Sequence, residues 1–566
     1  MINYKTFRIL PILGRKTDVP PNDLSLFKFL GEGIAATHDV GGINYNLSRK
    51  RNSCSRALGY VEFGGGLLTF SEQVVAQESA DVSPQDSEDV TITDDESTVA
   101  KCMGLFELRS GSNTDHLYFD FGKVLVLNAS NEWVEVEAAT PMTFSFNDVD
   151  LYSIIRVGEY VVFSDRGTTI PYVWSNGDAN IIPLIKSGND GDDVTADWIV
   201  SFARRVILLG TNATNGDIEI RWTDAWPTAV IGDTMSIPTE NQLYVPNDDS
   251  IMCGHAMGSD KCFVYCKESI HQLVYTGNST SPFAIYTSVT NQGTSSPLSV
   301  VPVGDRHFLF NKNFGFCEYR GGSEFPYGGK AISYDIEEDV KAINSQYYSL
   351  IYGRYIPETK EVVWSVPVGT SYCNLFYYYN TENGNWRIES KTARCIDTWT
   401  IFSSFTWNDL IDSLGGSGAT WSMAGYATWG SYVSAYPRTV FAGAAGKLYY
   451  ISSNTENGSD FEGYRIEPVM DFGTPELNDI VQEIWVDMGQ TGTHSIDFYH
   501  RGGNTVGETI SQTWDSVGSI TCDSPSRARM PIFKNSKYHQ IKWGTDLANE
   551  PFEINSIQLK YVPETI

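Results

Sequence analysis

The chain has 566 residues, of which 41% are hydrophobic, 13% aromatic and 19% charged, a balance that excludes a mainly disordered protein. A formal net charge of −29 excludes a nucleic-acid binder that works through clustered Lys and Arg, although it suits a surface past which nucleic acid slides. Abundant aromatics, 50 glycines and frequent Thr, Val and Ile favour strands, because ring and branched side chains pack well on a pleated surface, so the expected fold class is all-β.

The amino end has its own character. Residues 1–60 hold 9 basic and 4 acidic side chains, so the other 506 residues carry −34. The opening MINYKTFRILPILGRK lacks the longer apolar core of a signal peptide, and no stretch approaches the roughly 20 apolar residues that span a bilayer, which predicts a chain soluble at synthesis. Nine irregularly spaced cysteines form an odd count with no short-spaced secreted framework, which points to free thiols in a reducing cytosol. Residues 1–71 read as a basic segment that docks and supplies the first strands, ending in INYNLSRKRNSCSRALGYVEF with Arg49, Lys50 and Arg51. Residues 72–99 follow with EQVVAQESADVSPQDSEDVTITDDEST, which holds no Lys or Arg. Self-repulsion and few large apolar groups make this a solvated, mobile loop, the alternative being an acidic flap that faces a basic partner.

From about residue 115 one phrase recurs: a small residue, one to three polar residues, then four or five mostly apolar ones. It appears as FGKVLVL, VGEYVVF, FARRVILL, MGSDKCFVY, VGDRHFLF, YGRYIPETKEVVW and AGKLYYI, anchored at Gly122, Gly158, Ala203, Gly258, Gly304, Gly353 and Gly446. Successive anchors lie 36, 45, 55, 46, 49 and 93 residues apart, the last gap spanning close to two units with one phrase lost. Blades of four-stranded propellers repeat at about 40 to 50 residues, so residues 100–455 are predicted to form a β-propeller of about six to eight blades. One hairpin buries its faces poorly, whereas radial stacking buries both; a large β-sandwich, or several small ones, is the competing architecture.

Within this span, residues 398–432 place Trp399, Trp407, Trp421 and Trp429 among Gly, Ser and Thr, the composition of a long loop anchored by tryptophan rather than of a sugar platform. Residues 456–566 change rhythm to longer strands, GYRIEPVMDFG, IVQEIWVDMG, HSIDFYHRGG and INSIQLKYV, and are predicted to form a separate C-terminal β-sandwich.

No pattern for chemistry survives inspection. GAAGK at 443–447 has two residues between its glycines where a phosphate loop has four, and Leu448 stands where Ser or Thr would hold magnesium. SGNDGDD at 187–193 lacks calcium-loop spacing and its terminal Glu. Cys253, His255, Cys262, Cys266 and His271 suggest zinc, but if Cys262 and Cys266 share a strand, four residues at about 3.3 Å each put them too far apart for one tetrahedral ion, so they read as core thiols. SDRGTTIPYVW at Ser164 echoes the Asp-box turn of sialidase-type propellers, yet Asp follows Ser directly. The eight histidines are scattered and form no Ser, His and acid arrangement. Neither a metal nor a cofactor is expected, nor an enzyme, although a carboxylate pair brought together from distant strands is a pattern that sequence does not display.

The run IEIRWTDAWPTAV at 218–230, continued by KCFVYCKESIHQLVYTG and by SVVPVGDRHFLFNKNFGFCEYRGG, resembles the tail nozzle or packaged-DNA stabilisation proteins of short-tailed bacteriophages. The residues that carry it are Arg221, Trp222, Asp224 and Trp226, then Lys267, Ile270, Tyr275, Thr276 and Gly277, then Gly293, Val300, Val301, Gly304, Asp305 and Gly315. TWNDLIDSLGGSGATWSMAGYATW looks like a loop of the same proteins, as does the amino-terminal pattern of Pro11, Gly14, Asp18, Pro20, Asn46 and Arg49 to Arg51. The likeness covers roughly residues 10–60 and 115–455. It departs at Thr223, where Ser is usual, and the acidic run from Glu72 has no counterpart role.

The resemblance implies a structural virion protein, assembled in the host cytoplasm into a homo-oligomeric ring of six copies below the portal and its adaptor. Its partners would be adaptor or portal-side proteins, tail fibre or spike proteins, and double-stranded DNA that passes a negatively charged channel without specific binding. Arg49, Lys50 and Arg51 are the candidate adaptor contact, since a net-positive segment suits an acidic neighbour. A glycan-binding adhesin of the host surface and, less favoured, a propeller glycosidase are the rival expectations.

Overall fold

A computed structural model describes residues 5–9, 43–45, 47–50, 53–56 and 59–63, then 102–402, 435–442, 448–453, 462–488, 495–521, 528–546 and 553–563 with short gaps. Seven small antiparallel sheets succeed one another, their first strands being Gly104–Ser110, Ser153–Val157, Trp198–Phe202, Ile251–Met257, Val301–Val303, Tyr352–Ile356 and Cys395–Phe402. Each first strand touches the first strand of the next sheet, and the seventh touches the first, so they close a ring around one axis. This is a seven-bladed β-propeller, within the expected range of six to eight. Six blades have four antiparallel strands, the second with Glu137–Ala138 added in parallel at its outer edge, whereas the fifth has three, Val301–Val303, Arg306–Asn311 and Gly315–Tyr319.

The recurring phrase is the tight turn between a blade's first and second strands. Gly158 and Gly304 open two-residue turns with φ of +63° and +62°, a conformation glycine adopts without a Cβ penalty. Ala203 and Arg204 occupy the same position in the third blade, also at positive φ. Gly353 departs from this reading because it lies inside a strand. A Cβ there would come within 2.5 Å of Val301 of the fifth blade and 2.7 Å of the Trp364 ring, so the residue is small because blades approach closely. The anchors Gly122 and Gly446 lie outside the described residues, between the second and third strands of their blades. The lost phrase belongs to the seventh blade. There the first strand pairs with Ala435–Ala442, and residues 403–434 intervene where other blades have short turns. Of that tryptophan-rich stretch Trp399 is a buried strand residue, and Trp407, Trp421 and Trp429 lie outside the described residues.

The ring is closed by the chain's own beginning. Gly59–Phe63 pairs antiparallel with Leu448–Ser453 and forms the outermost strand of the seventh blade. First and last blades are also joined by the Cys395 thiol on the Cys102 carbonyl at 3.5 Å and by Arg109 on the Thr400 hydroxyl at 2.5 Å.

The C-terminal residues form a β-sandwich. One sheet contains Glu553–Pro563, Asp479–Met488 and Ala528–Ser536, with the amino-terminal strands Lys5–Ile9, Leu47–Lys50 and Ser53–Arg56. The other contains Gly463–Ile466, Tyr538–Thr545, Ser495–Gly503 and Asp515–Thr521. Alternate residues such as Val481, Ile484, Phe498, Trp543, Ile557 and Leu559 point inward, as the two-residue period of strands demands, and share one core. Ile43–Tyr45 pairs with Trp386–Glu389 of the sixth blade on one side and with Gly463–Ile466 on the other, so one nine-stranded sheet runs from propeller to sandwich. Among the described residues no helix is long and apolar enough to cross a membrane.

Candidate functional site at the propeller axis

The first strands converge on a cavity of about 620 Å³, to which every blade contributes. Its wall mixes apolar and polar groups, with Ile154, Trp198, Val200, Val301 and Tyr355 beside Ser153 and His255. The charged lining residues are Arg109 from the first blade and Arg354 and Glu358 from the sixth, with Thr398 of the seventh between them. Arg109 is the penultimate residue of Gly104–Ser110 and Glu358 lies just past the end of Tyr352–Ile356, so these two residues mark one end of the channel.

Two inward carboxylates fix the arginines. Arg109 Nε donates to Glu107 Oε1 at 2.5 Å, while Glu107 also accepts from the Thr400 amide and lies 3.4 Å from His116 Nε2. Burial acts to raise the Glu107 carboxyl, but the hydrogen bonds from His116, Thr400 and Arg109 outweigh it and hold the group at about 2. His116 itself stacks on Trp399, with ring centroids 4.7 Å apart.

Arg354 is paired with Asp397, which is wholly buried and also accepts from the Thr398 amide at 2.8 Å and from Trp399 Nε1 at 2.9 Å. Burial works against the Arg354 charge, yet Asp397 beside it keeps the guanidinium firmly protonated. Solvent reaches 41% of the Arg354 side chain and 57% of the Arg109 side chain.

His255 completes the wall as a neutral ring. Burial and the neighbouring His307 hold its imidazole at about 3, and it meets Trp198 edge-on. Burial likewise holds His307 at about 4. Its Nε2–H donates to the Ala256 carbonyl at 3.1 Å, which leaves Nδ1 to accept from Tyr265 at 2.7 Å.

The residues singled out in the sequence occupy other places. Cys253, Cys262 and Cys266 are fully buried core thiols, raised by burial, Cys262 to about 12. His271 hydrogen-bonds Ser269, and no group of three or more metal-ligating side chains occurs among the described residues. Arg221 and Trp222 lie on Glu219–Trp222, where Trp222 is buried and meets Phe283 of the fourth blade edge-on. Asp224 accepts from Ser236 Oγ at 2.5 Å, and Trp226 packs over Gly158 of the second blade so tightly that a Cβ there would sit 2.6 Å from the ring. Gly277, Gly304 and Gly315 take positive φ, and Asp305 is exposed beside Gly304. These residues are joints between and within blades; they are not brought together into one site. Arg49 and Lys50 lie on the edge strand Leu47–Lys50, in register with Cys54 and Ser53, and Arg51 lies outside the described residues.

The sequence reading missed Arg109, Arg354, Glu107 and Asp397. A charge stands on each of their first strands, GLFELRS, YGRYI and CIDTWTIF, but nothing in the sequence sets these charges beside one another.

No known family profile matches the chain, and no curated protein matches it. Among solved structures it is similar to the CNH domain of AfRom2, at 9% identity and a TM-score of 0.32, covering 62% of this chain and 94% of that one. It is similar to YCF48 in complex with a peptide, at 10% identity and 0.31, covering 64% and 96%. An exo-β-1,3-galactanase from Phanerochaete chrysosporium bound to β-1,3-galactotriose matches at 9% identity and 0.25, covering 75% and 97%. The propeller assignment rests on the strand order and ring closure described above.

Proposed function

We propose that this chain is a structural protein of a bacteriophage tail, a subunit of the nozzle ring below the portal and adaptor, which retains packaged DNA and forms the conduit for its exit. The observation that carries this reading is where the resembling residues fall: Trp222, Asp224, Trp226, Gly304 and Gly315 are packing joints and turns, the expected role of a motif that belongs to a scaffold and not to a reaction. The charge agrees. With −34 outside the first 60 residues, a lumen built from this chain repels phosphate and lets DNA slide.

The propeller axis itself is no conduit, because a cavity of about 620 Å³ has no room for a duplex whose major groove alone is about 12 Å wide. The channel therefore lies between copies, which requires a ring, and the reading takes that ring to be sixfold. In this reading no residue is catalytic.

The test is co-sedimentation of the purified chain with adaptor-capped portal rings. The expected result is joining as multiple copies, weakened when Arg49, Lys50 and Arg51 are replaced by Ser. A chain that stays monomeric beside those rings and binds cell-wall polysaccharide instead overturns the proposal.

A further inference from the structure

The axial cavity goes beyond a scaffold role. Arg109 and Arg354 bridge neighbouring blades through Thr400 and Asp397, but those bonds leave 57% and 41% of the two side chains reached by solvent. Arg109 and Arg354 come from the two blades that flank the seventh, and each is held from behind by a carboxylate, Glu107 at 7% and Asp397 at 0% side-chain exposure. Anchoring in this way fixes the direction of the planar fork and removes the entropy that a free arginine loses on binding. Arg109 uses Nε on Glu107 and one terminal nitrogen on Thr400. Its other terminal nitrogen, and the accessible part of Arg354, remain to face the cavity.

The chemistry of the wall narrows the ligand. Arg109, Arg354, Glu107 and Asp397 sum to zero charge, and Glu358 at the mouth adds one negative charge. A wall of that net charge repels a dianion such as phosphate more than a monoanion, so an anion is held by direct contact with the guanidinium groups, whose fork matches a planar carboxylate in geometry. Beside the polar Ser153, His255 and Thr398, the wall presents rings and branched aliphatics: Trp198, whose Nε1–H is already given to the Gly254 carbonyl at 3.0 Å, then Tyr355, Ile154, Val200 and Val301. Such a surface takes the face of a ring. A volume of about 620 Å³ falls within the range of small-molecule sites, about 300–1,000 Å³.

We propose that the axial cavity binds a small monocarboxylate that carries one or two rings, its carboxylate held by Arg109 and Arg354 and its ring laid against the apolar wall. The site is independent of ring assembly, so it stands or falls apart from the tail reading.

Calorimetric titration of the full chain with D-glucuronate and with benzoate tests it, with glucose and inorganic phosphate as controls. The expected result is saturable binding of at least one carboxylate, tighter than about 1 mM, with each control at least about tenfold weaker. Arg109→Met is expected to weaken the carboxylate at least about tenfold at a temperature where the chain is still folded by circular dichroism, and to lower the unfolding midpoint, because Glu107 and Thr400 lose their bonds to it. Arg354→Met strips Asp397 of its partner and confounds folding with binding; Arg354→Lys, which keeps the charge and loses the fork, serves instead and is expected to weaken binding by a similar factor. Absence of saturation by both carboxylates, phosphate binding as tightly as they do, or unchanged affinity in Arg109→Met overturns the proposal.

Discussion

The propeller axis and the sandwich hold charge in opposite ways. In the sandwich, Arg465 and Glu467 are fully buried and bonded at 2.8 Å, Trp543 Nε1 donates to the same Glu467 oxygen, and Arg501 is bound by Gln540 and the Ile510 carbonyl, stacked on Trp514. The space there is filled, and the cavity beside Tyr464 and Lys542 measures about 30 Å³. At the propeller axis, Arg109 and Arg354 line a volume about twenty times larger and keep donors in reach of solvent, whereas away from the axis Arg387, Glu361, Glu389 and Lys391 of the sixth blade form a buried cluster of the sandwich kind. Two sheets face to face leave no axis, whereas blades around a ring necessarily do. Strand geometry alone decides which region can hold a ligand and which can only hold itself together.

The largest expected effect tests whether the two regions are one body. A chain beginning at residue 64 lacks the strand that closes the seventh blade, the strand that bridges to the sixth, and three strands of the sandwich. Cooperative thermal unfolding and near-ultraviolet dichroism are expected to be lost in both regions. A truncated chain that melts as the intact one does would show that these pairings contribute nothing.

Acid comes next and acts on both. His255 and His500 are held at about 3, and His307 and His539 at about 4, each mainly by burial. In the sandwich, His539 Nε2–H donates to the Asp479 and Ser536 carbonyls, which leaves Nδ1 to accept from His500 Nε2–H at 2.9 Å, so the His539 ring is neutral, while burial and the neighbouring His539 disfavour charge on His500. Unfolded histidine takes its proton near 6.5, so between that value and 3 to 4 the unfolded chain binds more protons and stability falls as pH falls. Each ring is expected to cost about 1.4 kcal/mol per pH unit across that window, read from urea unfolding at stepped pH. Stability that is flat from pH 7 to 5 would contradict the neutral assignment.

Packing distinguishes the regions more sharply. Trp543→Ala opens a cavity in the sandwich and takes a donor from buried Glu467, an expected loss of about 3–5 kcal/mol in chemical unfolding. A loss under about 1 kcal/mol would mean that the sandwich core is not packed as described. The smallest effect lies in the repeat. Ala203→Gly relieves a left-handed residue in the third blade's turn and is expected to stabilise by about 1 kcal/mol, while the same change at a residue of negative φ destabilises.

Much of the fold was legible because propeller turns are written locally. Gly158, Gly258 and Gly304 announce their hairpins in the residues that make them, and the longer strands of the sandwich alternate visibly. Three things were not legible. The seventh blade hides because its first turn is replaced by residues 403–434; Gly353 misled because closeness to Val301 and a tight turn both demand glycine; and the closing strand Gly59–Phe63 pairs with residues nearly 400 positions away. The axial pairs were invisible for the same reason. Glu107 with Arg109 reads as one more charged strand, and only ring closure sets it beside Arg354 and Asp397.

The tail assignment is tested most directly by electron microscopy of the assembled particle at a resolution that shows blades. The account predicts six copies of a seven-bladed disc joined to a sandwich, placed around a lumen wide enough for a duplex and walled by the acidic body of each chain. A single propeller centred on the DNA path, or particles that lack this chain at the tail, would contradict it.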